Sequence, residues 1–466
     1  MKTIKTSIIP SHPIFAKVNA ARELNLEAIC IFAATGFFLD QDTYWRDEVV
    51  LSPGTINKID SNGFLIESEP WFSWHYTPRE ISFEKTVAEF TSLFERIIKD
   101  QIGDNSVILP LSGGLDSRSQ AVALANNKSV SSYSYSFDGG YSESTIGKKI
   151  AKSCDFSFKE FTIRSGYLWP VVEELGRING CYSDFTHPRQ MAVLPELKKM
   201  EGMFSLGHWG DVLFDRGAPE EIQVEQLPEL IRKKVIKKGG LELANELWKH
   251  WQLQGNFETY FTQRIESLLS KIDIVNTSAK MRAFKSLYWA PRWTSANLSI
   301  FSKAKEISLP YYDDRMCEFI CGIPEEFLAD RKIQIAYIKS QNPNLAKITW
   351  QDHRPFNLVT FHKNKVPFNI PYRLIQKTKR EIKHLFGKTF IQRNWELQFL
   401  GNKNEIELRN HLFSEELVSF IPKKTIDDFY NAFLNEDAVY FSHPVSILLT
   451  LAIWRKKLDR NNLNTK

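Results

Sequence analysis

The chain has 466 residues, which at roughly 150 residues per domain allows two or three folding units. Against 55 acidic residues stand 60 basic ones, a net charge of +5, with 25% charged and 43% hydrophobic residues. This composition excludes a disordered or collagen-like chain, and the thin positive surplus does not by itself argue for nucleic acid. The five cysteines, Cys30, Cys154, Cys181, Cys317 and Cys321, form no CxxC pair, so reduced, buried thiols are expected rather than disulfides or a structural zinc. Lys2 and Lys5 precede an apolar stretch broken by Pro10, His12 and Pro13, a poor signal peptide. The longest apolar runs, Ala28–Leu39 and Val445–Trp454, fall short of the ~20 residues of a membrane helix. A cytoplasmic protein with no membrane partner is expected.

In chain order, residues 1–80 read as short strands and turns: Ile29–Phe32, Gly36–Leu39, a Pro53-Gly54 turn and Gly63–Ile66. The Trp-rich stretch from Trp71 to Tyr76 leads to Pro78, a boundary that divides the chain into a small β-rich unit (1–80) and a larger one (81–466). Phe83, Val87, Phe90, Leu93 and Ile97 recur at helical spacing. Val107–Leu111 is an apolar run typical of a buried parallel strand, followed by two glycines and a helix over Ser117–Ala125. Val130–Phe137 alternates as a second strand, Ser142–Ser153 predicts a helix capped by Ser142, and Phe158–Ile163 a third strand. The alternation predicts an α/β fold with a doubly wound parallel sheet. Beyond residue 220 the pattern is helical to the end of the chain.

The sharpest chemical signal is Leu111-Ser112-Gly113-Gly114-Leu115-Asp116-Ser117, placed where a parallel strand ends and a helix begins. Open α/β sheets bind ligands there. Adjacent glycines turn consecutive N–H groups toward an anion, the helix N-terminus adds positive potential, and Ser112 and Ser117 add hydroxyls. A carboxylate beside a phosphate calls for a divalent cation between them, so Asp116 points to Mg²⁺. No Walker lysine follows the glycines.

Ser-Gly-Gly-Leu-Asp-Ser resembles the pyrophosphate loop of ATP pyrophosphatases, and residues 35–460 resemble one branch of them, the asparagine synthetases. Gly139-Gly140-Tyr141-Ser142-Glu143 is similar to that family's second βα unit. Gly207-His208-Trp209-Gly210-Asp211-Val212-Leu213-Phe214 is similar to its Gly-Glu-Gly-Ala-Asp-Glu-Leu-Phe segment, and Leu309-Pro310-Tyr311-Tyr312-Asp313 to its Val-Pro-Phe-Leu-Asp. The resemblance implies an ATP pyrophosphatase fold with a helical C-terminal half. It also implies a chemistry in which a carboxylate attacks the α-phosphate of ATP, pyrophosphate leaves, and an amine displaces AMP to give an amide. Carried over, Ser112, Gly113, Gly114, Asp116 and Ser117 would hold pyrophosphate. Asp116 and Asp211 would hold Mg²⁺, and adenine would lie over Leu111 near Ser136, with Gly207 beside the nucleotide.

Three departures bear on the substrate. The family's glutamine-dependent members carry a cysteine at position 2, where this chain has Lys2, and residues 1–80 are too short for their glutaminase domain. The segment reads as a remnant of it, so free ammonia, an amine, or ammonia delivered by a separate protein is expected as nucleophile. His208 replaces the glutamate of Gly-Glu-Gly and, with an imidazole pKa near 6.5, is a candidate general base; a stacked or hydrogen-bonded histidine is the plainer alternative. Glu306 is a candidate partner for it. The family's late lysine has no clean match, and His353, Arg354 and Lys365 are the candidate cations. The expected acceptor is a small-molecule, sugar-acid or peptide carboxylate, with no nucleic-acid partner. A tRNA-modifying pyrophosphatase or a non-catalytic nucleotide-binding protein are the alternatives.

Overall fold

The computed structural model describes the chain apart from residues 128, 141, 143, 376, 377, 379–390 and 464–466. Tyr141 and Glu143, part of the Gly139–Glu143 resemblance, therefore lie outside the described residues.

The N-terminal strands are β1 (Lys2–Lys5), β2 (Phe15–Lys17), β3 (Glu48–Val50), β4 (Thr55–Ile59) and β5 (Leu65–Pro70). They pair antiparallel, in the order β1-β4-β5 and as the pair β2-β3. Ala16, Leu51 and Ile59 form a small apolar cluster of their own beneath them. The expected strand Ile29–Phe32 is instead inside helix α1 (Leu26–Thr35), capped by the Asn25 side chain and ended by Gly36 at φ +84°. Ala28 to Thr35 are all buried. A helix apolar on every side shows no 3.6-residue period, which is why its sequence reads as a strand. Gly36–Leu39 joins no strand ladder either; Phe37 makes a lone bridge to Ser183.

Helix α2 (Phe83–Ile102) starts at Ser82, whose hydroxyl accepts the Lys85 N–H at 3.2 Å, and buries Phe90, Phe94, Ile97, Ile98 and Ile102. The main sheet follows: β6 (Val107–Pro110), β7 (Val130–Phe137), β8 (Ser157–Ile163), β9 (Met203–Ser205) and β10 (Ile307–Ser308). All five are parallel in the order β10-β9-β6-β7-β8, with α3 (Leu115–Ala123) and α4 (Ser144–Ser153) as the first two crossovers. The fold is α/β with a parallel, doubly wound sheet. Strand order reverses between β6 and β9, so their C-terminal ends open a crevice at the switch point. Helix Ala438–Leu463 closes the fold, with Val445 to Trp454 buried and Trp454 stacked on Tyr44 at 4.1 Å. No described helix is long and apolar enough to cross a membrane.

Candidate active site

The loop after β6 is held from both sides. The Leu111 N–H donates to the Tyr133 carbonyl at 2.8 Å, and the Ser134 hydroxyl donates to the Leu111 carbonyl. The Ser112 N–H and the Gly114 N–H donate to Ser117 Oγ and Ser112 Oγ, each at 3.2 Å. The Gly113 N–H donates to Gln351 Oε1 at 3.0 Å, and the Gln351 N–H returns to the Gly113 carbonyl at 3.1 Å. A Cβ on Gly113 would stand 2.7 Å from Gln351 Cβ and 2.9 Å from Ile146 Cδ1, so this close approach requires glycine. Behind the loop, fully buried Arg118 donates to the carbonyls of Gly113, Ile348 and Thr349 at 3.2, 2.9 and 2.8 Å. Burial pulls this guanidinium down to about 10. Arg118 thus staples the loop to residues 345–351, a positioning role that an arginine directly after the Asp-Ser pair could have signalled.

Helix α3 begins two residues earlier than its sequence predicts, which puts Asp116 in its first turn. Its Oδ1 accepts from Arg331 Nη2 and from Gln334 Nε2 at 3.0 Å, and Gln334 also donates to the Tyr311 hydroxyl at 2.8 Å. Burial raises the Asp116 pKa first; the Arg331 charge lowers it and Asp211 raises it again, for a net upward shift. From β9 the chain enters Gly207-His208-Trp209-Gly210. A Cβ on Gly207 would come within 2.9 Å of Asp116 Cβ, and one on Gly210 would overlap Asp116 Oδ1. Both glycines exist to let the two loops touch. Between them Trp209 takes φ +77°, a left-handed conformation costly for a bulky side chain, fixed by burial and by its Nε1 donating to Ser286 Oγ at 3.1 Å. Asp211 is exposed in the short helix Gly210–Leu213, which is capped by Trp209 and has no side-chain cap hydrogen bond. Asp211 is therefore not an N-cap, and it makes no hydrogen bond or ion pair among the described residues.

A cavity of about 590 Å³ opens at the switch point, lined by Leu111, Ser112, Asp116 and Ser117 from one loop and Gly207, His208 and Asp211 from the other. His208 is half-buried, its ring edge-on to Phe301 at 6.0 Å, and its Nδ1 is buried with no partner among the described residues. Burial pushes its pKa down to about 4, with Asp211 opposing and Arg189 reinforcing the shift. Burial thus favours the neutral imidazole and holds its pKa below the ordinary 6.5. Its far wall adds Lys285, Trp289 and Trp293. Lys285 is pulled down to about 8 by burial and then by Lys234, against the pull of Asp211. None of these three stands out in the sequence.

The remaining expected residues divide. His353 lines an adjoining lobe of about 430 Å³ that shares Asp211, Val212 and Lys285 with the main cavity. Arg354 is half-buried but lines neither space, and Lys365 is exposed and lines neither. Gly113 and Gly114 shape the loop without lining the cavity. Ser136 lies beyond the lining stretch Tyr133–Tyr135 and turns its hydroxyl to the Phe161 carbonyl at 3.5 Å, so that edge of the cavity is formed by Leu111 and Tyr133–Tyr135 rather than by Ser136. Glu306 is exposed at the N-terminal entrance of β10, where its carbonyl accepts the Phe204 N–H at 2.8 Å. Because the sheet is parallel, that is the end opposite His208, and Glu306 cannot be its partner.

The donor set fits a hard divalent cation. Among the described residues both hydrogen bonds to Asp116 fall on Oδ1, leaving Oδ2 without one, and Asp211, which has none, lines the same cavity. Two carboxylate oxygens are what Mg²⁺ takes from a protein when phosphates and water complete its shell. Among the described residues no group of three or more acidic, histidine or cysteine side chains could hold a metal by itself.

No family model matches the chain, and no curated protein does. Among solved structures it is similar to the NMN synthetase from Francisella tularensis, at 13% identity over 44% of this chain and 93% of that one. The TM-score is 0.22, a likeness too slight to bear on what this chain does.

Proposed function

We propose that the protein is an ATP-dependent, amide-forming ligase of the asparagine synthetase type. The observation that carries this reading is the meeting of Ser112–Ser117 with Asp211 across one cavity at the switch point of a parallel sheet. In this reading an acceptor carboxylate oxygen attacks the α-phosphorus of ATP. The bond to the bridging oxygen breaks, and pyrophosphate leaves with both electrons into the β6–α3 loop, where Ser112, Ser117 and the start of α3 receive its charge. Ammonia or an amine then attacks the acyl carbon, AMP departs, and one proton is lost. Mg²⁺, held by Asp116 and Asp211, would neutralise phosphate charge. Neutral His208 can hold the incoming amine or take its proton as the amide forms.

All five cysteines are buried, and burial raises each thiol's pKa, so none is a nucleophile for glutamine. Nitrogen arrives as ammonia or an amine, and residues 1–80 serve as scaffold. A second reading, a nucleotide-binding protein without turnover, draws on Arg331 at Asp116 and Gln351 at Gly113, which stand where a cation and a phosphate oxygen would. The test is a screen of carboxylates for AMP release and for exchange of labelled pyrophosphate into ATP. Acceptor-dependent exchange supports the ligase; tight ATP binding with no exchange for any carboxylate supports the second reading.

A further inference from the structure

We propose that the cavity selects an acceptor built on a ring and carrying a second anionic group besides the reacting carboxylate; this rests on the ligase reading above. If the nucleotide takes the β6–β7 side, the acceptor is left with the wall across the switch point. That wall is the helical stretch Lys285–Thr294, which is wound as a π-helix around Pro291, and Phe301 beyond it. π-helical turns are rare and gather at functional sites. This one brings Lys285, Trp289 and Trp293, four residues apart, onto a single lining surface.

The two indoles provide flat faces. Trp289 is fixed from behind by stacking on Phe37 at 5.7 Å with an 11° interplanar angle, and both tryptophans are only half-buried. Aromatic faces carry negative quadrupole charge and attract the weakly positive C–H face of a pyranose, or stack on an aromatic ring. An extended aliphatic acid offers them neither. Lys285 supplies the other half of the argument. It is half-buried, lines the cavity, and has no hydrogen bond or ion pair among the described residues. Lys234 repels it and Asp211 attracts it; with Asp211 given to Mg²⁺ in the ligase reading, an anion on the ligand would balance the two lysines. The reacting carboxylate cannot serve through both steps, because it becomes an uncharged acyl group on adenylation. A second anion on the acceptor would keep the intermediate anchored while the amine attacks.

The test measures acceptor KM by AMP release, with ATP affinity read separately by calorimetry. The probes are galacturonic acid 1-phosphate, galacturonic acid and aspartate. One charge-assisted contact gives an expected KM about tenfold or more lower for the phosphorylated ring acid than for the plain one. Aspartate should be the poorest of the three. Lys285→Met should abolish the difference between the two ring acids while leaving ATP affinity within about twofold. Aspartate used as well as the ring acids would overturn the proposal. So would a loss of ATP affinity in Lys285→Met, which would place this lysine on the nucleotide. Should that variant fail to fold, the wild-type ranking of the three acids decides. If the wild type does not bind ATP, the ligase reading itself falls. If ATP binds and neither ring acid releases AMP, this inference alone falls.

Discussion

Asp116 and Asp211 are the same residue type in one cavity, yet their surroundings assign them different sensitivities. Asp211 makes no hydrogen bond or ion pair among the described residues, so Asp211→Asn should leave stability within about 0.5 kcal/mol while lowering AMP formation by roughly 10²–10³. Unfolding in urea and initial rates on one preparation check both halves; unchanged turnover would remove Asp211 from the site. Asp116→Asn should lower turnover too, but it also strips the counter-charge from Arg331 and should cost about 1–3 kcal/mol. For His208 the pKa of about 4 sets the expectation. The amide-forming step should show no His208-dependent limb between pH 6 and 8, and His208→Gln should slow that step more than pyrophosphate exchange. A limb near 6.5 that disappears in His208→Gln would show an imidazole far better solvated than its burial implies.

At the scale of elements, the β9 loop reaches α3 only because Gly210 has no side chain. Glycine-to-alanine inside a helix ordinarily stabilises by up to about 1 kcal/mol. Here the added methyl would overlap Asp116 Oδ1, so Gly210→Ala should instead cost about 1–3 kcal/mol and abolish turnover. A urea midpoint at or above wild type would show that the two loops need not touch. This is also where legibility divides. The β6–α3 junction could be read locally, because an apolar run, two glycines and a Ser-Asp-Ser set lie within a dozen residues. Helix α1 could not, since uniform burial erases periodicity. Arg331, Gln334 and Gln351 were out of reach for another reason: each meets the loop from more than 200 residues away in sequence, and a lone Arg or Gln in a helical tract carries no mark of its target. Lys285 and the two tryptophans stand four residues apart, a spacing that core residues of any helix share, so nothing local marks them as cavity lining.

Across the whole molecule, α1 is tied to the C-terminal helix through a buried polar knot. His443 Nε2 donates to the Ala33 carbonyl at 2.9 Å, and a Cβ on Gly36 would stand 2.8 Å from Asp184 Oδ1 and 3.3 Å from His443 Cε1. Burial pushes His443 down to about 4, with Asp184 and the Ala33 hydrogen bond opposing the shift. The unfolded chain, with an imidazole near 6.5, therefore binds more protons than the folded one between those values, so stability rises with pH across that window. Acidification from pH 7 to pH 5 should cost about 2 kcal/mol from this residue, and His443→Gln should flatten that part of the profile. Urea midpoints for both proteins at the two pH values measure it. Equal slopes would assign the acid sensitivity to His187 or His208, which burial shifts in the same direction.

In the proposed reading, a phosphate of ATP can take the Gly113 N–H only by displacing the Gln351 side chain that now holds it, so the nucleotide would compete with the protein's own amide. The measured dissociation constant is then the intrinsic one multiplied by the excess of the self-bound form. Gln351→Ala deletes the internal rival and leaves the glycine loop intact. Its affinity for ATP should rise by about fivefold, the equivalent of one ordinary hydrogen bond, and the gain should appear in the association rate, because fewer encounters would meet a closed loop.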